Sequence, residues 1–168
     1  MTAISVTLAR WSEDDLPLLE QANTPAMTQF LGGPETDEQV VARHAKYLGY
    51  WDEDLGWWYR VDADQVGAGG IGYWPVEHEG VAAYELGWHV LPAFQGRGIA
   101  TRALQAIIPI VAARGDRALL IASPSVDNLA SNAVCRAAGF VRAGSHTVPW
   151  RGGTLTFNTW VHELGDRT

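Results

Sequence analysis

The segment Leu91-Pro-Ala-Phe-Gln-Gly-Arg-Gly-Ile-Ala100 joins a strand-like run to a helix-like one and constrains the chain more than any other. Gly96 and Gly98 put no side chain between the backbone and an approaching anion. A helix beginning near Gly98 has first-turn N–H groups with no partner inside the helix. Those donors and the helix dipole together make a seat for a phosphate or pyrophosphate. Arg97 adds a fixed positive charge at the same place.

Three loop chemistries compete for such a seat. A P-loop needs a lysine directly after its last glycine, and none follows here, which argues against nucleoside triphosphate hydrolysis. The dinucleotide pattern G-x-G-x-x-G/A fails at Thr101, and the following strand ends in Ile121-Ala-Ser-Pro124 with no acidic residue for a ribose. A literal match to that pattern lies at Gly67-Ala-Gly-Gly-Ile-Gly72, but Tyr73-Trp-Pro-Val76 continues it as a strand. With no helix N-terminus to offer, those glycines read as a strand where two backbones approach closely.

What remains, Gln95-Gly-Arg-Gly-Ile-Ala100, resembles the GNAT superfamily of N-acetyltransferases, whose signature (Q/R)-x-x-G-x-(G/A) is filled by Gln95, Gly98 and Ala100. Asn128-Leu-Ala-Ser-Asn-Ala-Val-Cys-Arg-Ala-Ala-Gly-Phe140 has the spacing of that family's later helix. The segments ending in Gly33 (Thr-Gln-Phe-Leu-Gly-Gly) and Trp88 (Tyr-Glu-Leu-Gly-Trp) look like the subgroup of bacterial ribosomal-protein N-terminal acetyltransferases. The resemblance runs from about Thr7 to Glu163 and implies one N-acetyltransferase domain over residues 1–168.

Periodicity gives the organisation independently. Ile4 to Ala9 alternates as a strand, and Ser12 caps a helix to about Asn23, with Asp15 at the third position of a capping box. A second helix starts at Pro34-Glu-Thr-Asp37 and reaches about Trp51, with Val40, Val41, Ala45 and Leu48 as its apolar face. Trp57 to Ala63, Gly67 to Trp74 and Ala82 to Leu91 read as an antiparallel meander. After the glycine loop, Ala100, Ala103, Leu104, Ile107, Ile108 and Val111 share a helical face, interrupted by Pro109, which should kink the last turns. Ala118 to Ser123 is a continuous apolar strand, and the helix from Asn128 ends at Gly139 with Phe140 folded back onto it. A hairpin from Phe140 to Val148 and Thr154 to His162, turned at 149–153, completes a mixed α/β fold. Its sheet is mostly antiparallel, with one parallel pair beside the glycine-loop helix.

The resemblance also implies a co-substrate, acetyl-coenzyme A, and a division of labour. The backbone of Gln95, Gly96, Arg97, Gly98, Ile99, Ala100 and Thr101 would hold its pyrophosphate. The stretch His89, Val90 and Leu91 would pair with the pantetheine arm and supply a backbone donor for the developing oxyanion. Asn128 and Ser131 match positions that contact pantetheine or fix the strand-to-helix turn; capping would satisfy Asn128 equally well.

Moving an acetyl group to an amine also requires a base, because an alkylammonium with a pKa near 10.4 is only about one-thousandth free base at neutral pH. Glu85, on the strand entering the loop, matches the glutamate that serves as base in many relatives. Alternation puts Glu85, Gly87 and His89 on one face and Leu86, Trp88 and Val90 on the other. Cys135 stands where many relatives carry a tyrosine acting as general acid; it is a candidate donor or a small core residue. Phe30, Trp51 and Trp58 are candidate walls for the acceptor, an aromatic lining that suits a cationic amine.

Composition is consistent with this reading. The chain has 168 residues, 47% of them hydrophobic, a size at which a single domain buries a substantial core. A net charge of −7 argues against a nucleic-acid partner. No signal-like start or membrane-length apolar run is present, and one cysteine suits a reducing cytoplasm. Five histidines show no ligand spacing, so no metal is expected. The resemblance implies a protein or peptide N-terminal α-amine or a small-molecule amine as acceptor, and the oligomeric state is open, a homodimer included. Two alternatives from other classes are a non-catalytic acyl-coenzyme A-binding module and a nucleotide-cofactor oxidoreductase.

Overall fold

The computed structural model describes residues 2–165. The elements run β1 (Val6–Arg10), α1 (Leu16–Ala22), α2 (Asp37–Glu53), β2 (Trp57–Ala63), β3 (Val66–His78), β4 (Val81–Val90), α3 (Ile99–Arg114), β5 (Leu119–Ala122), α4 (Leu129–Ala137), β6 (Val141–Trp150) and β7 (Gly153–Glu163). The seven strands form one sheet in the order β1-β2-β3-β4-β5-β7-β6. Only β4 and β5 pair in parallel; the other pairs are antiparallel. This is the mixed sheet expected from the sequence.

Local signals set most boundaries. The Ser12 N–H donates to Asp15 Oδ2 at 2.8 Å, as a capping box requires, although the first turn is 3-10 and the α-helix starts at Leu16. At α2, Thr36 and Gln39 cap one another reciprocally. Gly139 takes a left-handed φ of 90°, and the Phe140 N–H returns to the Cys135 carbonyl at 3.0 Å, a Schellman closure that buries Phe140. The β2–β3, β3–β4 and β6–β7 turns each have two central residues at positive φ (Asp64–Gln65, Glu79–Gly80, Arg151–Gly152), the hairpin geometry that matches strand twist. The last turn is therefore shorter than the 149–153 loop read from the sequence, and β6 extends to Trp150. Helix α3 runs through Pro109 to Arg114.

The inward face of α2 differs from its apolar pattern. Val40 and His44 are buried, whereas Val41 and Ala45 are exposed. The Trp11 Nε1–H donates to His44 Nδ1 at 3.0 Å, so the imidazole enters the core with a partner and rotates the helix accordingly.

Two cores flank the sheet. On the α3/α4 side Ile99, Ala103, Leu104, Ile107 and Val111 pack onto Ile71, Tyr73, Leu86, Leu120 and Trp160. On the α1/α2 side Trp11, Leu19, Val40, Trp58 and Leu91 form a smaller cluster. Glycines shape the strands between them. A Cβ at Gly69 would lie 2.1 Å from the His89 carbonyl oxygen, a true close approach of two backbones beside the bulge at Val61/Asp62. Gly72 and Gly87 have a different role: they clear the sheet so that the Trp58 and Trp74 indoles lie flat on it, 6.4 Å apart.

Candidate active site

The site is a cleft made where β4 and β5 part. Their parallel pairing ends at Leu86–Ala122, while β4 continues to Val90. Beyond Ala122 the chain stays with β7: the Asn158 N–H donates to the Pro124 carbonyl at 2.9 Å, Ser125 bridges Phe157, and the Val126 N–H donates to the Thr156 carbonyl at 3.0 Å. One edge of β4 from Gly87 to Val90 is left open.

Hydrogen bonding identifies the groups on that edge. The Leu91 N–H donates to the Ala68 carbonyl at 2.8 Å, so strand alternation sends the His89 and Gly87 amides toward β3 and those of Trp88 and Val90 toward the open side. The Val90 carbonyl there accepts Gln95 Nε2 at 2.9 Å, fixing the start of the glycine loop. Gln95 Nε2 also lies 3.2 Å from Met27 Sδ, which ties the loop to the 24–33 segment across the cleft.

Gly96 and Gly98 both adopt φ of 73°, and nothing lies within 4 Å of where a Cβ would stand on either. Gly98 is the N-cap of α3, whose first intrahelical bond runs from the Arg102 N–H to the Gly98 carbonyl. The Ile99, Ala100 and Thr101 N–H groups therefore head the helix without intrahelical acceptors.

The larger part of the cleft, about 500 Å³, is lined by Trp88, His89, Val90, Gln95, Gly96, Gly98, Ile99, Ala100, Thr101, Asn128 and Ser131, with Met27, Phe30 and Phe94 opposite. The sequence-predicted cofactor positions meet here, with two exceptions. Leu91 is buried in the smaller core, its N–H spent on Ala68 and its carbonyl on the Phe94 N–H at 2.9 Å, so it offers no free donor. Arg97 is exposed on the loop and does not line this part of the cleft. Asn128 caps α4 through the Ser131 N–H at 3.1 Å.

Asn132, which carries no sequence signal, holds this corner from inside. Its Nδ2 donates to the Ser125 and Asn128 carbonyls, and its Oδ1 accepts Asn158 Nδ2 and Trp160 Nε1, each at 2.8–2.9 Å.

A second part, about 380 Å³, continues on the other side of the β4 edge. Glu85 is on its wall with Phe30, Trp58, Trp74, Trp88 and Phe157, and Arg43 and Tyr47 reach it from α2. Phe30, Met27, Trp88, His89, Asn128 and Ser131 border both parts. Burial, and secondarily the charge of Arg43, pushes the His89 imidazole down to about 4, so it is neutral and a weak base at physiological pH. The hairpin tip docks on the 31–33 segment beside this part: Trp150 Nε1 donates to the Leu31 carbonyl at 2.9 Å and Arg151 Nη1 to the Gly33 carbonyl at 3.2 Å.

Two candidate site residues lie outside the cleft. Trp51 is not a cleft wall; its Nε1–H donates to the Trp58 carbonyl at 2.8 Å, and its ring sits against Tyr59 beneath the Arg10 guanidinium. Cys135 faces the core with no exposed surface, and burial pushes its thiol up to about 12. A thiol that reluctant to ionise is a weaker acid than the conjugate thiol of the coenzyme A thiolate it would have to protonate, and of the two readings of Cys135 the small core residue is the one its burial fits. Arg43, Tyr47 and Trp74 join the cleft with no motif in the sequence to mark them.

An open β-strand edge running into a helix-capping glycine loop, continuous with a carboxylate-bearing pocket, can seat an extended phosphate-bearing donor beside a second substrate, the arrangement of a group-transfer enzyme. The family model "Acetyltransferase (GNAT) domain" matches residues 5–141, and the chain belongs to this family of N-acetyltransferases. No curated protein sequence matches the chain. Among solved structures it is similar to the Salmonella typhimurium acetyltransferase that modifies the N-terminal serine of the 50S ribosomal subunit protein L7/L12 (23% identity, 95% of each chain, TM-score 0.81). It is also similar to the microcin C7 self-immunity acetyltransferase MccE in complex with acetyl-CoA and AMP (18% identity, 94% of this chain and 92% of that one, TM-score 0.80). A third is the aminoglycoside acetyltransferase AAC(6')-Ib in complex with coenzyme A (20% identity, 95% of each chain, TM-score 0.76). Among the described residues no cluster of His, Cys, Asp or Glu could hold a metal, and no helix is long and apolar enough to cross a membrane.

Proposed function

We propose that this protein transfers an acetyl group from acetyl-coenzyme A directly to a primary amine, with both substrates bound in the cleft together. The observation that supports it most is the continuity of the two parts: a backbone-lined channel for the donor opens, past Trp88 and His89, onto a pocket with Glu85 on its wall. The pyrophosphate sits on the glycine loop and the first-turn amides of α3. The pantetheine arm lies along the open edge of β4 like an added strand, bonding to the Trp88 and Val90 backbone, with Asn128 and Ser131 on its other side.

Glu85 takes the proton from the acceptor ammonium, directly or through one water. The amine nitrogen attacks the thioester carbonyl, the C–N bond forms, the nitrogen releases its second proton to solvent, and the C–S bond breaks to release the coenzyme A thiolate. An N–H on the open edge of β4 meets the oxyanion. The thiolate leaves without a dedicated acid, since its conjugate thiol is itself acidic (pKa about 8.5). The acceptor is a peptide N-terminal α-amine or a small-molecule amine, in the cytoplasm. An α-amine, with a pKa near 8, asks less of Glu85 than an alkylamine.

Isothermal titration with acetyl-coenzyme A, with NADH in a parallel cell, tests the donor site. Micromolar binding of acetyl-coenzyme A alone is expected, followed by amine-dependent thiol release. Heat only with NADH, or none with either, would overturn the assignment.

A further inference from the structure

Asn132 is buried, yet its amide uses both donors and both acceptor positions on one corner of the cleft. Its orientation is forced. The Trp160 indole N–H can only donate, so the Asn132 atom that meets it at 2.8 Å is the oxygen. Arg142 also only donates; by engaging Asn158 Oδ1 at 2.9 Å it turns Asn158 Nδ2 onto that same Asn132 oxygen. Asn132 Nδ2 is thereby aimed at two carbonyls, Ser125 at 2.9 Å and Asn128 at 2.8 Å.

Each of those carbonyls already accepts a backbone N–H, Ser125 from Asn128 at 3.0 Å and Asn128 from Asn132 at 3.1 Å. A carbonyl has two lone pairs, so both are saturated from inside and neither peptide is free to turn toward the cleft. That fixes what the corner presents. Asn128 Oδ1 is held by the Ser131 N–H at 3.1 Å, which leaves Nδ2, the other end of the same amide, as the donor for a ligand. Asn128 and Ser131 border both parts of the cleft, as do Trp88 and His89 of the open β4 edge.

Helix α4 does not need Asn132 for its ends. Asn128 caps its start, and the Phe140 N–H closes its last turn on the Cys135 carbonyl. What Asn132 adds is a lock between the 125–128 turn and β7, through Asn158 and Trp160.

We propose that Asn132 is a positioning residue for the donor: by binding the Ser125 and Asn128 carbonyls from inside, it holds the Asn128 amide against the pantetheine arm on the side opposite the β4 edge. It touches no substrate and acts through Asn128. This rests on reading the cleft as an acetyl-coenzyme A site and adds a residue that sets how the arm is held.

The test separates the arm from the rest of the donor. Affinities are measured for acetyl-coenzyme A and for its phospho-ADP moiety offered without the pantetheine arm, the latter by competition. Asn132→Ala should weaken acetyl-coenzyme A by up to about tenfold, the worth of one ordinary hydrogen bond. The fragment should be held as in the wild type. Asn132→Asp keeps an oxygen for Trp160 and Asn158 but loses both donations, and should show the same selective loss. A folded sample of either variant decides the question, and thermal melts record the folding cost separately.

The route through Asn128 has its own readout. Asn128→Asp keeps a helix cap but removes the N–H donor. In that background Asn132→Ala should cost little further affinity for acetyl-coenzyme A. Equal weakening of donor and fragment would reduce Asn132 to general support and overturn the proposal. Unchanged affinity in the folded variants, or a full additional loss in the Asn128→Asp background, overturns it too. If the wild-type protein did not bind acetyl-coenzyme A at all, the acetyltransferase reading itself would be wrong.

Discussion

The two parts of the cleft are built from different materials. The part proposed for the donor is organised around backbone groups: amides at the head of α3, two left-handed glycines, and a strand edge freed because β5 follows β7. The acceptor part is mostly side chains, brought by α2, β2, β3, β4 and the 24–33 segment. A side-chain site can be rewritten residue by residue, as the solved structures of the same fold suggest: one modifies a ribosomal protein N-terminus and another is an aminoglycoside acetyltransferase. Changes in the two parts should therefore separate in their effects, the first on donor affinity and the second on acceptor use.

The sharpest separation is expected from Glu85→Gln. Loss of a general base lowers turnover by about 10²- to 10⁴-fold. Affinity for acetyl-coenzyme A should hold, because Glu85 lines only the acceptor part. The deficit should shrink as pH rises toward the amine pKa, where less of the acceptor needs deprotonating. Steady-state kinetics across pH decides it, and unaltered turnover at neutral pH would remove Glu85 as the base.

Gly98→Val tests the other half. A β-branched residue at φ of 73° costs about 1–2 kcal/mol of folding stability, and its side chain fills the open space before the helix N-terminus, so donor affinity should fall roughly tenfold or more. Titration with acetyl-coenzyme A measures it directly, and a wild-type Kd would mean the loop does not carry the pyrophosphate.

How much of the molecule is legible in the sequence follows the same division. The helix-capping loop comes from contiguous residues whose local conformation the glycines dictate, so the spacing of Gln95 to Thr101 is enough to place the left-handed turn and the head of α3. Leu91 is misplaced by sequence reasoning because strand alternation does not say which edge is already paired; Ala68 takes its N–H. The acceptor part depends on register between distant strands. Trp58 reaches the cleft because it pairs with Gly72, which in turn pairs with Gly87, and no local pattern reveals that alignment. Arg43 looks, in sequence, like a solvent-facing helical residue. The inward turn of His44, set by Trp11, carries it to the pocket wall, and an apolar count over Val41 and Ala45 points the helix the wrong way. Asn132 is invisible for a related reason: a buried amide serving four partners reads like any polar residue on a helix.

Gly72→Ala probes that register. The added Cβ would stand 1.9 Å from Trp58 Cε3, and overpacking of this kind costs about 1–3 kcal/mol. At roughly 2–4 °C per kcal/mol for a chain of this size, the melting temperature should fall by several degrees. The displaced indole should raise KM for the acceptor more than it changes acetyl-coenzyme A affinity. An unchanged melting temperature would show that Trp58 does not rest on Gly72.

The smallest effect belongs to His89, which borders both parts. Folding takes its imidazole from an ordinary value near 6.5 down to about 4, because burial and the nearby Arg43 both oppose the charged form. The unfolded chain therefore binds more protons than the folded one between those values, and stability must rise with pH across that window. The contribution is fully present above about 6.5 and is lost progressively as pH falls through about 4. His89→Gln removes the titration but keeps a polar side chain of similar reach, so its melting temperature should fall less than the wild type's between pH 6.5 and 4. Parallel thermal melts over that range make the comparison. If both proteins lose stability equally, the His89 ring is reached by solvent in the folded state, and its neutrality is not what the acceptor wall is built around.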